Sequence, residues 1–152
     1  MLEVVENLSD VGKVIINLNS LKHNFKIIKD KIGVKTQIAA VLKADAYGLG
    51  IEKIALTLNK IGCNIFFVAN LNEGIQLRTL IKNSNILVLN GPIKFSKKTY
   101  KDFYKYNLIP VINSLNDLIS WEKFFKKKNL IALHFDTGMN RLGIPSNDVL
   151  KI

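Results

Sequence analysis

Apolar residues in this chain come in two kinds of stretch. Short, nearly unbroken runs, "VIINL", "QIAAVLKA", "IFFVAN", "NILVLNG", "LIPVIN" and "LIALHFD", are separated by longer stretches with apolar residues every three or four positions. The short runs have strand length. Strands that lack apolar–polar alternation are those covered on both faces. The longer stretches read as amphipathic helices. In "NSLKHNFKIIKDKIG" the apolar stripe is Leu21, Phe25, Ile28 and Ile32, with Asn19 or Ser20 as the N-cap. In "GIEKIALTLNKIGC" it is Ile51, Ile54, Ala55, Leu58 and Ile61, and Gly62 ends the helix. "LNEGIQLRTLIKN", "SKKTYKDFYKYN" and "SLNDLISWEKFFKKKN" are the remaining helices, the last with Ser114 as its cap.

From residue 38 onward this gives five strands and four intervening helices. Strand–helix–strand units of this size imply parallel pairing through right-handed crossovers. Two α/β architectures satisfy that pattern: an open doubly wound sheet, or part of a (β/α)8 barrel. Periodicity does not separate them. No repeat, low-complexity segment or domain boundary interrupts the pattern.

Composition narrows the class. The chain has 152 residues, 48% hydrophobic and 22% charged, which suits one globular domain with a real core. No window reaches the 18 or so uninterrupted apolar residues of a membrane span. The opening "MLEVVENLSDVGK" is acidic and lacks the basic-then-apolar signal pattern, so export is not expected. The single Cys63 forms no internal disulfide, which fits a reducing cytoplasm. A net charge of +10 raises nucleic acid as a partner. The excess is almost all lysine, however, with only Arg78 and Arg141 as arginines, and asparagine is also abundant. Its densest run, "FFKKKN", closes a helical pattern, where lysines suit the dipole. A solvated basic surface is the expectation, with no nucleic-acid partner. Cys63 is expected in or near the core, His23 on the surface and Trp121 in packing. No Cys/His cluster has zinc spacing, so no metal is expected.

Two stretches carry chemistry. In "IAAVLKADAYGLG" an apolar run ends at Lys43, with Tyr47 four residues on and Gly48 and Gly50 behind it. The carboxyl ends of parallel strands are where both architectures bind ligands. A lysine in an apolar site loses its proton more easily and can attack an aldehyde cofactor. Tyr47 offers a hydroxyl, and a phosphate near the next helix start would meet free N–H groups. Taken by itself, a strand-end lysine reaching solvent beside a packing tyrosine is the commoner arrangement. The second stretch, "HFDTGMNRLGIP", repeats the layout of strand end, polar cluster and glycine-bearing loop. Asp136 and Arg141 are charges among apolar neighbours. They either pair with each other to pin the loop, or Arg141 presents its fork to a carboxylate or phenolate. Spacing does not choose.

Together, "VLKADAYGLG" and "DTGMNRLG" resemble the two N-terminal signature motifs of bacterial alanine racemases. "FFVANLNEGIQLR" and "ILVLNG" lie between them like that family's second strand and helix and its third strand. The resemblance covers about residues 13 to 145. It implies a fold-type III pyridoxal phosphate (PLP) enzyme, a (β/α)8 barrel of the TIM type followed by a β-domain. About five of eight βα units would be present here. Residues 1–37 would be a lead-in strand and helix, and 38–152 the amino-terminal portion of the barrel. By matching positions, Lys43 would form the Schiff base with PLP and move the Cα proton on one face of alanine. Tyr47 would hold the cofactor phosphate. Arg141 would contact the phenolic oxygen region and the substrate side, and Met139 would lie in the loop reaching toward substrate. Family members are homodimers, with a tyrosine of the partner's β-domain as the second base. The implied setting is cytoplasmic D-alanine synthesis for peptidoglycan.

The sequence departs from the family at three points. Leu49 stands where histidine is frequent, with little expected consequence. His134 stands where many relatives carry a carbamylated lysine, so Arg141 would need Asp136, a bound anion or solvent as its partner. The 152 residues also hold no counterpart of the later barrel strands or the β-domain, and on their own are expected to be inactive. A truncated, non-catalytic remnant and another fold-type III protein, a decarboxylase or a PLP carrier, are the competing readings.

Overall fold

The computed structural model describes residues 3–4, 14–124 and 130–152. Most of the acidic N-terminal stretch and the lysines of "FFKKKN" lie outside them. Strands β1 (Glu3–Val4) and β2 (Ile15–Ile16) pair antiparallel. Helix α1 spans Leu18–Ile32. Its N-cap is Asn17, whose side chain accepts from Asn19 N–H at 3.0 Å and Ser20 N–H at 3.1 Å. The cap therefore falls two residues before Asn19, because Asn17 can serve two of the orphan N–H groups of the first turn at once. Phe25 is the stripe's buried residue; Ile28, expected beside it, is 49% exposed.

Five parallel strands follow: β3 (Ala39–Val41), β4 (Ile65–Val68), β5 (Asn85–Val88), β6 (Ile109–Ile112) and β7 (Ala132–Leu133). Between them run α2 (Lys43–Gly48), α3 (Ile51–Lys60), α4 (Leu71–Leu80), α5 (Lys97–Lys105) and α6 (Leu115–Phe124), and α7 (Ser146–Val149) follows β7. The sheet order is β3-β4-β5-β6-β7. This order decides between the two architectures. A doubly wound sheet reverses direction at a switch point. Here every strand lies beside its predecessor, so crossovers of one hand put the crossover helices on one face. That is the barrel arrangement.

The face toward the helices carries Leu42, Phe66, Val68, Ile86, Val88, Pro110 and Ile112, all buried. They form the core with Ile54, Ala55, Leu58, Leu77, Phe103 and Trp121. The opposite face is apolar but less covered: Val41 is 42% exposed, while Leu42 beside it is 2% exposed. Continuous apolar runs predict cover on both faces, and the second face is only partly covered. The apolar residues of the second face are those a barrel turns inward.

Cys63 is buried, its Sγ within 3.6 Å of the Ile38 carbonyl and 3.5 Å of the Ile65 carbonyl, and burial pushes its thiol pKa up. Trp121 packs tilted on Tyr100 and edge-on to Phe103. His23 is exposed. No helix among the described residues is long and apolar enough to cross a membrane.

Candidate functional site

The strand expected through Ala44 stops at Val41. Lys43 then opens a turn that winds the wrong way. Ala44, Asp45, Ala46 and Tyr47 all have φ between 51° and 58° and ψ between 39° and 53°. Left-handed winding costs L-residues about 1–2 kcal/mol each, roughly 4–8 kcal/mol for four of them. The surroundings must hold it in place. Leu42 N–H donates to the Phe67 carbonyl at 2.7 Å, fixing the entry to β4. Ala46 N–H returns to the Leu42 carbonyl at 3.0 Å, and the Ala46 methyl is buried. At the exit, Gly50 N–H donates to the Asp45 carbonyl at 3.0 Å and Ile51 N–H to the Asp45 carboxylate at 2.7 Å. Asp45 thus already serves the first N–H of α3, one of the groups that the sequence leaves free for a phosphate.

The turn brings Lys43 and Tyr47 together. Lys43 is half-buried, with Nζ 5.8 Å from the centre of the Tyr47 ring. Tyr47 is 62% exposed, so it is not a packing residue. Lys43 has no carboxylate partner among the described residues.

Asn70 and Glu73 form a capping box at the start of α4. Glu73 does more than cap. Its Oε2 accepts from Ala69 N–H at 2.6 Å and Asn70 N–H at 3.3 Å, while Oε1 accepts from Ala44 N–H at 2.9 Å. The capping pattern was visible in "NLNE"; the bond to a residue 29 positions earlier was not.

At the other side of the sheet, Asn113 directly follows β6 and His134 directly follows β7, and they are joined by a 2.8 Å bond between Oδ1 and Nδ1. Asn113 Nδ2 donates to the Leu89 carbonyl at 2.8 Å and the Val111 carbonyl at 3.3 Å. Its oxygen therefore faces His134, and Nδ1 carries the proton, leaving Nε2 as the group that His134 can offer elsewhere. Asn113 was missed in the sequence, although a polar side chain closing an apolar strand is the signal Lys43 also gives.

The loop after β7 is held by its own backbone. Asp136 N–H donates to the Ile144 carbonyl at 2.9 Å and Ile144 N–H to the His134 carbonyl at 2.7 Å. The Asp136 carboxylate accepts from Gly138 N–H at 2.9 Å and Asn140 N–H at 3.0 Å. Those bonds, Gly138 first, lower its pKa from the ordinary value. Arg141 is exposed and makes no ion pair with Asp136 among the described residues. The loop-pinning Asp–Arg pair is thus absent, because backbone amides already occupy the carboxylate. Met139 is 74% exposed. The two motifs share the carboxyl edge of the sheet, but β4, β5 and β6 stand between them.

A phosphate-bearing aldehyde cofactor needs an amine and donors for its anionic oxygens. The Lys43 amine, Tyr47 hydroxyl and Arg141 guanidinium have no hydrogen-bonding or ionic partner among the described residues, so this donor set fits such a group.

The family model described as alanine racemase, N-terminal domain, matches residues 16–152. Alanine racemases of Rickettsia canadensis and Rickettsia prowazekii are each 41% identical over 141 residues, 90% of this chain and 39% and 34% of theirs. The chain thus spans under two fifths of the length of these curated relatives. The alanine racemase of Bartonella henselae with covalently bound pyridoxal phosphate superposes with a TM-score of 0.79 at 34% identity, over 90% of this chain and 40% of that one. A histidine racemase from Leuconostoc mesenteroides superposes with a TM-score of 0.74 at 27% identity, over 88% of this chain and 36% of that one.

Proposed function

The chain belongs to the alanine racemase N-terminal domain family, and we propose that it supplies the cofactor lysine of a PLP-dependent racemase interconverting L- and D-alanine. The observation that carries this reading is Lys43 itself. It is a half-buried, unpaired lysine among the described residues, just beyond the carboxyl end of a parallel strand, beside Tyr47 and in a strained turn.

Lys43 would hold the cofactor covalently, and its amine would take or return the Cα proton on one face of the substrate. Tyr47 donates its hydroxyl to the phosphate. Arg141 directs its fork at the phenolic oxygen and the substrate side, with Met139 in the same loop. When bound, PLP supplies the electron sink that stabilises charge left on Cα. Residues 38–152 form the amino-terminal portion of the barrel and 1–37 lead into it. The active protein is a cytoplasmic homodimer, whose second base is a tyrosine from the partner's β-domain. The superposition on a histidine racemase supports placing the choice of amino acid outside this part of the fold.

The test is formation of D-alanine from L-alanine by the full-length protein with added PLP. Activity should fall by roughly 10²–10⁴ or more in Lys43→Ala. Full activity in that variant would remove Lys43 from the mechanism.

A further inference from the structure

Glu73 is a carboxylate that has no cationic partner among the described residues. Its oxygens meet three backbone N–H groups instead: those of Ala69, Asn70 and Ala44. The capping box accounts for Asn70. It does not account for Ala44, which lies on another strand's loop, 29 residues away.

Ala44 N–H belongs to the peptide that leaves Lys43. On its far side the chain becomes left-handed and stays so for four residues. The first N–H groups of a helical turn have no partner inside it. Glu73 gives this one an acceptor, and its other oxygen is fixed at the β4–α4 junction. The carboxylate therefore ties the exit from Lys43 to the neighbouring strand. Without it, a strained left-handed turn has less to stop it relaxing toward right-handed or extended geometry. Such relaxation would move the Lys43 backbone and the Tyr47 ring together.

We propose that Glu73 is a positioning residue: it sets the direction in which Lys43 leaves its strand, and through it the placing of the amine against Tyr47. This rests on the reading of Lys43 as the cofactor lysine. Glu73 itself touches neither cofactor nor substrate in this assignment.

The experiment uses the full-length protein as wild type, Glu73→Ala, Glu73→Gln and Arg78→Lys. The last perturbs stability at the opposite, amino edge of the sheet. Two quantities are read: the Kd for PLP by absorbance titration, and hydrogen exchange at the Ala44 amide in the apo protein. In Glu73→Ala, Kd should weaken about tenfold or more, the scale of one lost charge-assisted hydrogen bond. Ala44 exchange should speed up by a similar factor. Glu73→Gln can accept one N–H but turns its NH2 toward another, so it should fall between and remain folded if the alanine variant does not. Arg78→Lys should leave Kd within about twofold at a comparable loss of stability.

Unchanged Kd and unchanged Ala44 exchange in both Glu73 variants would overturn the proposal. So would a Kd that merely follows global stability, with Arg78→Lys weakened as much as Glu73→Ala. Should the wild type bind no PLP, the reading of Lys43 falls instead. The exchange measurement then decides alone, and protection retained in Glu73→Ala overturns the anchor.

Discussion

Replacing Arg78 should test how the amino edge of the sheet is held. All five of its N–H donors meet carbonyl oxygens. Nε donates to Tyr106 at 2.9 Å, Nη1 to Ile81 at 3.1 Å and Lys82 at 2.8 Å, and Nη2 to Ser84 and Asn107 at 2.8 Å each. One planar fork thus ties the loop entering β5 to the loop entering β6. Each such bond contributes about 0.5–1.5 kcal/mol net. The bonds to Lys82 and Asn107 are solvent-exposed and count toward the low end. Arg78→Ala should therefore cost about 3–5 kcal/mol. Arg78→Lys keeps the charge but has three donors on one point, which cannot span both loops. It should still cost about 2–3 kcal/mol. Urea unfolding of the full-length protein reads the difference as a lower midpoint at unchanged slope. If Arg78→Lys lies within about 0.5 kcal/mol of wild type, charge and not the fork does the holding, and the reasoning is wrong.

Gly143→Ala should destabilise the loop after β7 by roughly 1–3 kcal/mol. An added Cβ would lie 2.8 Å from the Asp136 nitrogen at φ +111°. Gly138→Ala shares the backbone strain, at φ +130°, but meets nothing within 4 Å, so it should cost less, and equal urea midpoints would contradict this. Asp136 has a lowered folded pKa, so its contribution is full above the unfolded value near 3.9 and is lost as pH falls through the lower folded value. The Asn140 amide shift should titrate with a midpoint below about 3.9, and a midpoint above that would refute it. Histidine 15N spectra should show His134 protonated at Nδ1 when neutral, with mixed tautomers in Asn113→Ala; an Nε2–H form in the wild type would contradict the assigned network.

The α/β class was legible because continuous apolar runs alternating with helical stripes admit few alternatives. Lys43, Tyr47, Asp136 and Arg141 stood out as polar groups closing such runs. Barrel and doubly wound sheet could not be separated locally, since the difference lies in strand order, a long-range property. The left-handed turn was equally hidden. Four consecutive L-residues at positive φ have no propensity signal, and only Gly48 and Gly50 hinted at an unusual path. The bond from Glu73 to Ala44 and the pairing of Asn113 with His134 join residues 29 and 21 positions apart, which no helix or strand period reports. Spacing left the Asp136–Arg141 pair as one of two alternatives, since it does not show that the Gly138 and Asn140 amides reach the carboxylate first.

The central claim is that Lys43 is the covalent attachment point for PLP. Borohydride reduction of the full-length protein with PLP, followed by proteolysis and mass mapping, tests it most directly. The expected result is a phosphopyridoxyl adduct on the peptide carrying "VLKADAYG", localised to Lys43 and lost in Lys43→Ala. A specific, stoichiometric adduct on another lysine, with Lys43 unmodified, would contradict the account.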